Sequence, residues 1–96
     1  MKFELETIEK IKSKEINKRI SLKEFLGQNI RIGQVDNKGQ VVEYKHGLVI
    51  DATDKLIVVG YKHYNESFNI GNILASTTVS VEVKVEKEWV RLKEVI

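Results

Sequence analysis

The sequence predicts a mainly β protein, a small antiparallel barrel of about five to six short strands preceded by a short helix. Three observations predict it. Turn-forming Gly, Asn and Asp punctuate the chain about every 8 to 12 residues, the spacing of short antiparallel strands. The connections between them are too short for the crossovers that a parallel sheet requires. Finally, Val79, Val81, Val83 and Val85 alternate with Ser80, Glu82 and Lys84, the period of a strand with one buried face.

Residues 3–11 fit two templates. Phe3, Leu5, Thr7 and Ile11 are in phase for a strand, whereas Leu5, Ile8 and Ile11 recur at helical spacing. Ser21-Leu22-Lys23-Glu24 has the S-x-x-E form of a capping box, and Gly27 can take the left-handed conformation that ends helices. Leu22 to Leu26 is therefore expected to be a short helix plugging one end of the sheet. Asn29 to Val35 reads as a strand, and Asp36-Asn37-Lys38-Gly39 as a turn with Gly where a positive φ is wanted. Gln40 to Lys45 is the return strand, with a bend or bulge at His46-Gly47 leading into Leu48 to Thr53.

Asp54-Lys55 forms the next turn. Leu56-Ile57-Val58-Val59 is apolar at consecutive positions, which predicts a central strand covered on both faces. Residues 62–69 interrupt the pattern with polar and aromatic side chains and read as a loop, the place where a rigid scaffold often carries function. Ile70 to Leu74 resumes an apolar segment, and the Val79 to Val85 strand follows. The tail from Trp89 to Ile96 fits a strand through Val90, Leu92 and Ile96, or a helix through Trp89, Leu92 and Ile96, with the strand preferred. Gly33 and Gly60, inside strands, suggest bulges or the sharp coiling that barrel closure needs.

One domain is expected over residues 1–96: an N-terminal segment 1–28 with the short helix, the barrel 29–85, and a C-terminal strand or helix 86–96. The 42% hydrophobic content of 96 residues supports one core. With 31% charged residues and no apolar run of membrane-spanning length, no membrane insertion is expected. There is no cysteine, which excludes disulfides and thiolate chemistry, and no secretory pattern at Met1 to Glu6, so the expected location is cytoplasmic.

At this point the order of features resembles a known family. A helix, Gly27, a strand and a hairpin turn lead to Gly47-Leu48-Val49-Ile50-Asp51-Ala52-Thr53-Asp54 and then Leu56 to Val59. This is similar to the Sm-like barrels, whose first signature Gly47, Val49, Asp54 and Leu56 to Val59 follow. Ile70-Gly71-Asn72-Ile73 stands at the place of the second signature, without its Arg. The YolD-like small bacterial proteins resemble the same arrangement over residues 27–75, about half the chain. The resemblance implies a small SH3-like or Sm-like barrel. It does not carry over base-binding residues, because Leu56 or Ile57 stands where Sm proteins place an Asn. Tyr44-Lys45-His46 and Tyr61-Lys62-His63 echo a triplet of the bacterial Sm-like RNA chaperone, but neither lies in the matching final strand.

Net charge is only +2, yet Lys10, Lys12, Lys14, Lys18, Arg19 and Lys23 face Glu15 alone between positions 10 and 23. Such a stretch is either a solvated surface or an anion-contacting arm. His46 and His63 are the only histidines, and no G-x-S-x-G, metal-ligand spacing or phosphate-cradling Gly motif accompanies them. No enzyme, cofactor or metal is expected. The expected function is a non-enzymatic binding or assembly module with a protein partner or a second copy. The alternative is weak single-stranded nucleic-acid binding through the basic stretch and tyrosines. The candidate residues are Lys45, Tyr61, Lys62, His63 and Tyr64, with Lys14, Lys18 and Arg19. Trp89 is expected in core or interface packing.

Overall fold

A computed structural model of the chain describes Ile8 and residues 20–96. Lys10, Lys12, Lys14, Lys18, Arg19 and, apart from Ile8, the segment 3–11 lie outside the described residues. Ile8 packs against the core.

Leu22–Phe25 forms a 3-10 helix with Leu22 and Phe25 fully buried, so the expected plug is present. The capping box is not. The Ser21 hydroxyl donates to Asp54 Oδ1 at 2.6 Å instead of capping the helix, and Lys23 Nζ lies 3.4 Å from the same carboxylate oxygen. The hydroxyl acts here as the donor of a charge-assisted bond to a remote carboxylate, not as the acceptor that a cap requires. The Ser21 hydroxyl, then Lys23, hold the Asp54 carboxyl below its usual range. Gly27, at φ 86°, turns the chain so that its N–H donates to Val49 O at 2.8 Å, which ties the plug to the sheet.

The strands are β1 (Asn29–Val35), β2 (Val41–Ala52), β3 (Leu56–Gly60), β4 (Asn65–Asn69), β5 (Val79–Val85) and β6 (Glu88–Arg91). All neighbours are antiparallel, in the order β4-β3-β2-β1-β5-β6. The ladder is one open sheet, and no β4–β6 pairing closes it among the described residues. Instead α1 (Ile70–Ala75), which follows β4, touches β5 and the 3-10 helix Leu92–Glu94 after β6. The sheet therefore curls far enough for one short helix to reach from one end of it towards the other.

One face of this curl carries the core. Ile30 and Ile32 on β1 pair across with Val83 and Val81 on β5, and Val49, Ile57 and Val59 continue the layer. Leu92, Val95 and Ile96 close it from the C-terminal end. These are largely β-branched residues, which fit a pleated surface.

Some details differ from expectation. β2 runs unbroken through His46 and Gly47, with Gly47 opposite Ile30, and its irregularity falls between Val49 and Asp51. Gly33 likewise stays in register with Tyr44 and Ser80. β3 is covered on one face: Ile57 and Val59 are buried while Leu56 and Val58 are only half-buried. The loop expected at 62–69 is a turn over residues 61–64 followed by β4. The tail takes both of its alternatives in succession, strand β6 and then the 3-10 helix.

Candidate functional site

The β3–β4 turn brings four of the sequence candidates to one end of the sheet. Tyr61 N–H donates to Tyr64 O at 2.8 Å, which folds the turn and sets the two rings 4.8 Å apart. Tyr61 can lie down over the core because Gly47 is beneath it: a Cβ at that position would stand 3.1 Å from Tyr61 Cδ1 and 2.7 Å from Val59 Cγ1. Lys62 and His63, at the tip, are exposed.

Lys45 reaches this pair from β2 and Glu66 from β4. The Lys45 amine donates to the Tyr64 hydroxyl at 2.9 Å and lies 3.5 Å from Glu66 Oε1. It also sits 4.9 Å from the Tyr61 ring centroid, within cation–π range. The Tyr61 hydroxyl donates to Glu66 Oε1 at 2.8 Å. The result is a closed network in which the cation is matched by a carboxylate and both phenol oxygens have partners. It fixes the start of β4 against β2. Glu66, which sequence reasoning left out of the site, is its hub.

Both Lys45 and Tyr61 hold their protons more tightly here than in an unfolded chain. For Lys45 the Tyr64 hydroxyl raises the value most, with Glu66 adding and burial opposing. For Tyr61 burial is the main cause and the Glu66 carboxylate the second. Stability from these groups is complete below their unfolded values of about 10 and is lost as pH rises through the raised folded values. Tyr61→Phe removes one of the two groups, so the alkaline fall in melting temperature should be shallower in that variant. The wild type should also retain a late-ionising tyrosinate absorbance that the variant lacks. Equal alkaline slopes in the two proteins would show that Tyr61 ionisation is not linked to folding.

A second cluster, on the outer face of the sheet, was not anticipated. The Arg31 guanidinium lies 4.0 Å from the Tyr44 ring centroid and 4.5 Å from that of Trp89, while its Nε donates to Glu82 Oε1 at 3.0 Å. Lys84 is also over Trp89, and His46 meets the Trp89 ring edge-on at 5.8 Å. Trp89 is thus half-buried on the outer face, packing there and not in the core. The cluster is held by register: Arg31 opposes Glu82, and Lys84 opposes Trp89. Its rings carry the chain's own cations, which leaves less ring face open for a stacked base.

Beyond these clusters lies the free edge of β4. Among the described residues β4 pairs with β3 alone. Both ends are anchored, one by the Tyr61–Glu66–Lys45 network and the other by Ile70 N–H donating to Lys55 O at 2.7 Å and by the Asn69 side chain accepting from Asn72 N–H. Tyr64, just before the strand, and Leu74, in α1 just after it, are 51% and 48% exposed. The chain matches no protein-family model, no curated protein and no solved structure at a significant level.

Proposed function

We propose that the protein is a non-enzymatic binding module that takes an extended segment of a protein partner along the free edge of β4. The observation that carries this reading is the edge itself. An unpaired strand edge offers a row of backbone donors and acceptors, and proteins normally guard such edges with Lys, Pro or charge. β4 reads Asn-Glu-Ser-Phe-Asn, with neither Pro nor Lys, and its one charge, Glu66, is matched by Lys45. The opposite edge, β6, is shorter and carries Glu88 and Arg91. Because β4 is anchored at both ends, an added strand meets a preformed template and little ordering entropy is lost on its side. Exposed Tyr64 and Leu74 supply apolar anchors near the two ends. We further infer that the curled sheet is a small SH3-like or Sm-like barrel. The return of β5 beside β1 and the span of α1 between the sheet's ends support that reading.

The test is selection of extended peptides from a random library, followed by mapping of their amide shifts on the protein. Binding should move Asn65 to Asn69 and their flanks. Ser67→Lys, which places a charge on the edge, should weaken it by about tenfold, the equivalent of ~1.4 kcal/mol. Peptides that map elsewhere on the protein would overturn the reading. A labelled single-stranded oligonucleotide serves as the contrasting arm: binding there with a steep salt dependence would assign the function to the basic stretch around Lys14, Lys18 and Arg19 instead.

A further inference from the structure

Away from the β4 edge, a cavity of about 270 Å³ opens where the β1–β2 hairpin, the segment after α1, the start of β5 and the end of β6 converge. Its floor is apolar, with Ile73 and Val81, both buried in the core. Its rim is cationic. Arg91 and Lys93 both line it, and neither has an acidic partner among the described residues. The carboxylate nearest in register to Arg91 is Glu82, and that side chain is engaged by Arg31. Among the described residues no Asp or Glu lines the cavity.

Hydroxyls complete the lining. Ser76 Oγ accepts from Thr78 N–H and Val79 N–H, so its own hydrogen points elsewhere and remains to be donated. Thr77 also lines the cavity. Two cations, a spare hydroxyl hydrogen and an apolar floor form a cationic site with a hydrophobic end. The volume falls slightly below the ~300–1,000 Å³ usual for small-molecule pockets, which limits the occupant to a small molecule.

We propose that this cavity binds a small organic anion, a carboxylate or phosphate monoester carrying a short apolar body. The oxyanion meets Arg91 and Lys93, where charge-assisted hydrogen bonds are strongest, and the apolar body rests on Ile73 and Val81. This site is separate from the β4 edge and does not depend on it.

The experiment is titration of the full chain, followed by amide shifts, with four probes: hexanoate, phenyl phosphate, inorganic phosphate and hexylammonium. Hexanoate or phenyl phosphate should saturate shifts at Ser76, Thr77, Val81, Arg91 and Lys93, and hexylammonium should not. Whichever organic anion binds identifies the headgroup. The double variant R91Q/K93Q should weaken binding by at least about tenfold, the scale of one lost charge-assisted contact. The charge-preserving R91K/K93R should retain most of it, which separates lost charge from a disturbed fold. Three results would overturn the proposal: no organic anion shifting these amides, inorganic phosphate binding as tightly as the organic anions, or hexylammonium binding equally well.

Discussion

Replacing Phe25 with alanine should cost the fold about 3–5 kcal/mol, the range for deleting a fully buried phenylalanine. Phe25 is 0% exposed and sits on the 3-10 helix that closes one end of the core. The loss has two parts: the transfer free energy of the ring, and a cavity that the surroundings fill poorly. The plug is tied to β2 by Gly27 N–H to Val49 O and Val49 N–H to Gln28 O, so the backbone cannot easily collapse into the gap. Urea unfolding followed by far-ultraviolet circular dichroism measures it. A typical domain has only about 5–15 kcal/mol in hand, so the variant should be near the edge of folding at room temperature. A loss under ~1 kcal/mol would mean that the plug is not part of the cooperative unit.

How much of this was legible in the sequence depended on whether the deciding interaction was local. β1 and its turn were read with the right boundaries because their determinants are neighbours. Asp36 Oδ1 accepts from Lys38 N–H and Gln40 N–H, and Gly39 takes φ 79°. The valine alternation of β5 was equally plain. Ser21 misled because its side chain bonds to Asp54, remote in sequence, and makes no local cap. β4 looked like a loop because Glu66 occupies an inward-facing place. That is tolerable only where Lys45 and Tyr61 meet it from other elements. The β5–β6 turn carried no Gly or Asn to announce it, since Glu86 itself takes φ 58°.

The site was partly legible for the same reason. Tyr61, Tyr64 and Lys45 were singled out as aromatic and basic residues close in sequence to one another or to a like triplet, although only the strand pairing and the Tyr61–Tyr64 turn show why they belong together. Arg31 and Glu82 were missed. Their signal was present in the pattern: each is the lone charge between two apolar residues of a strand, Ile30 and Ile32 in one, Val81 and Val83 in the other, and the charges are opposite. Opposite charges at matching outward positions are what adjacent strands place face to face.

That pair supplies the second large effect, and its two halves should not be equal. Arg31→Met leaves the Glu82 carboxylate, in a residue only 8% exposed, without its partner and forfeits two cation–π contacts. Stranding one partner of a buried pair costs ~3–5 kcal/mol, and the partial exposure here lowers the expectation to about 2–4 kcal/mol. Glu82→Gln removes the anion instead. The guanidinium then stays between Tyr44 and Trp89, and the amide oxygen can still accept from Arg31 Nε, so about 1–2 kcal/mol should be lost. Replacing both by Met and Leu, which fill similar space, should recover much of the Arg31→Met loss, because no charge is left buried alone. Chemical denaturation of the four proteins measures the three losses. Equal costs for the two single variants would mean that the ion pair alone holds the outer face. The ring sandwich around Arg31 would then contribute nothing beyond its contact area.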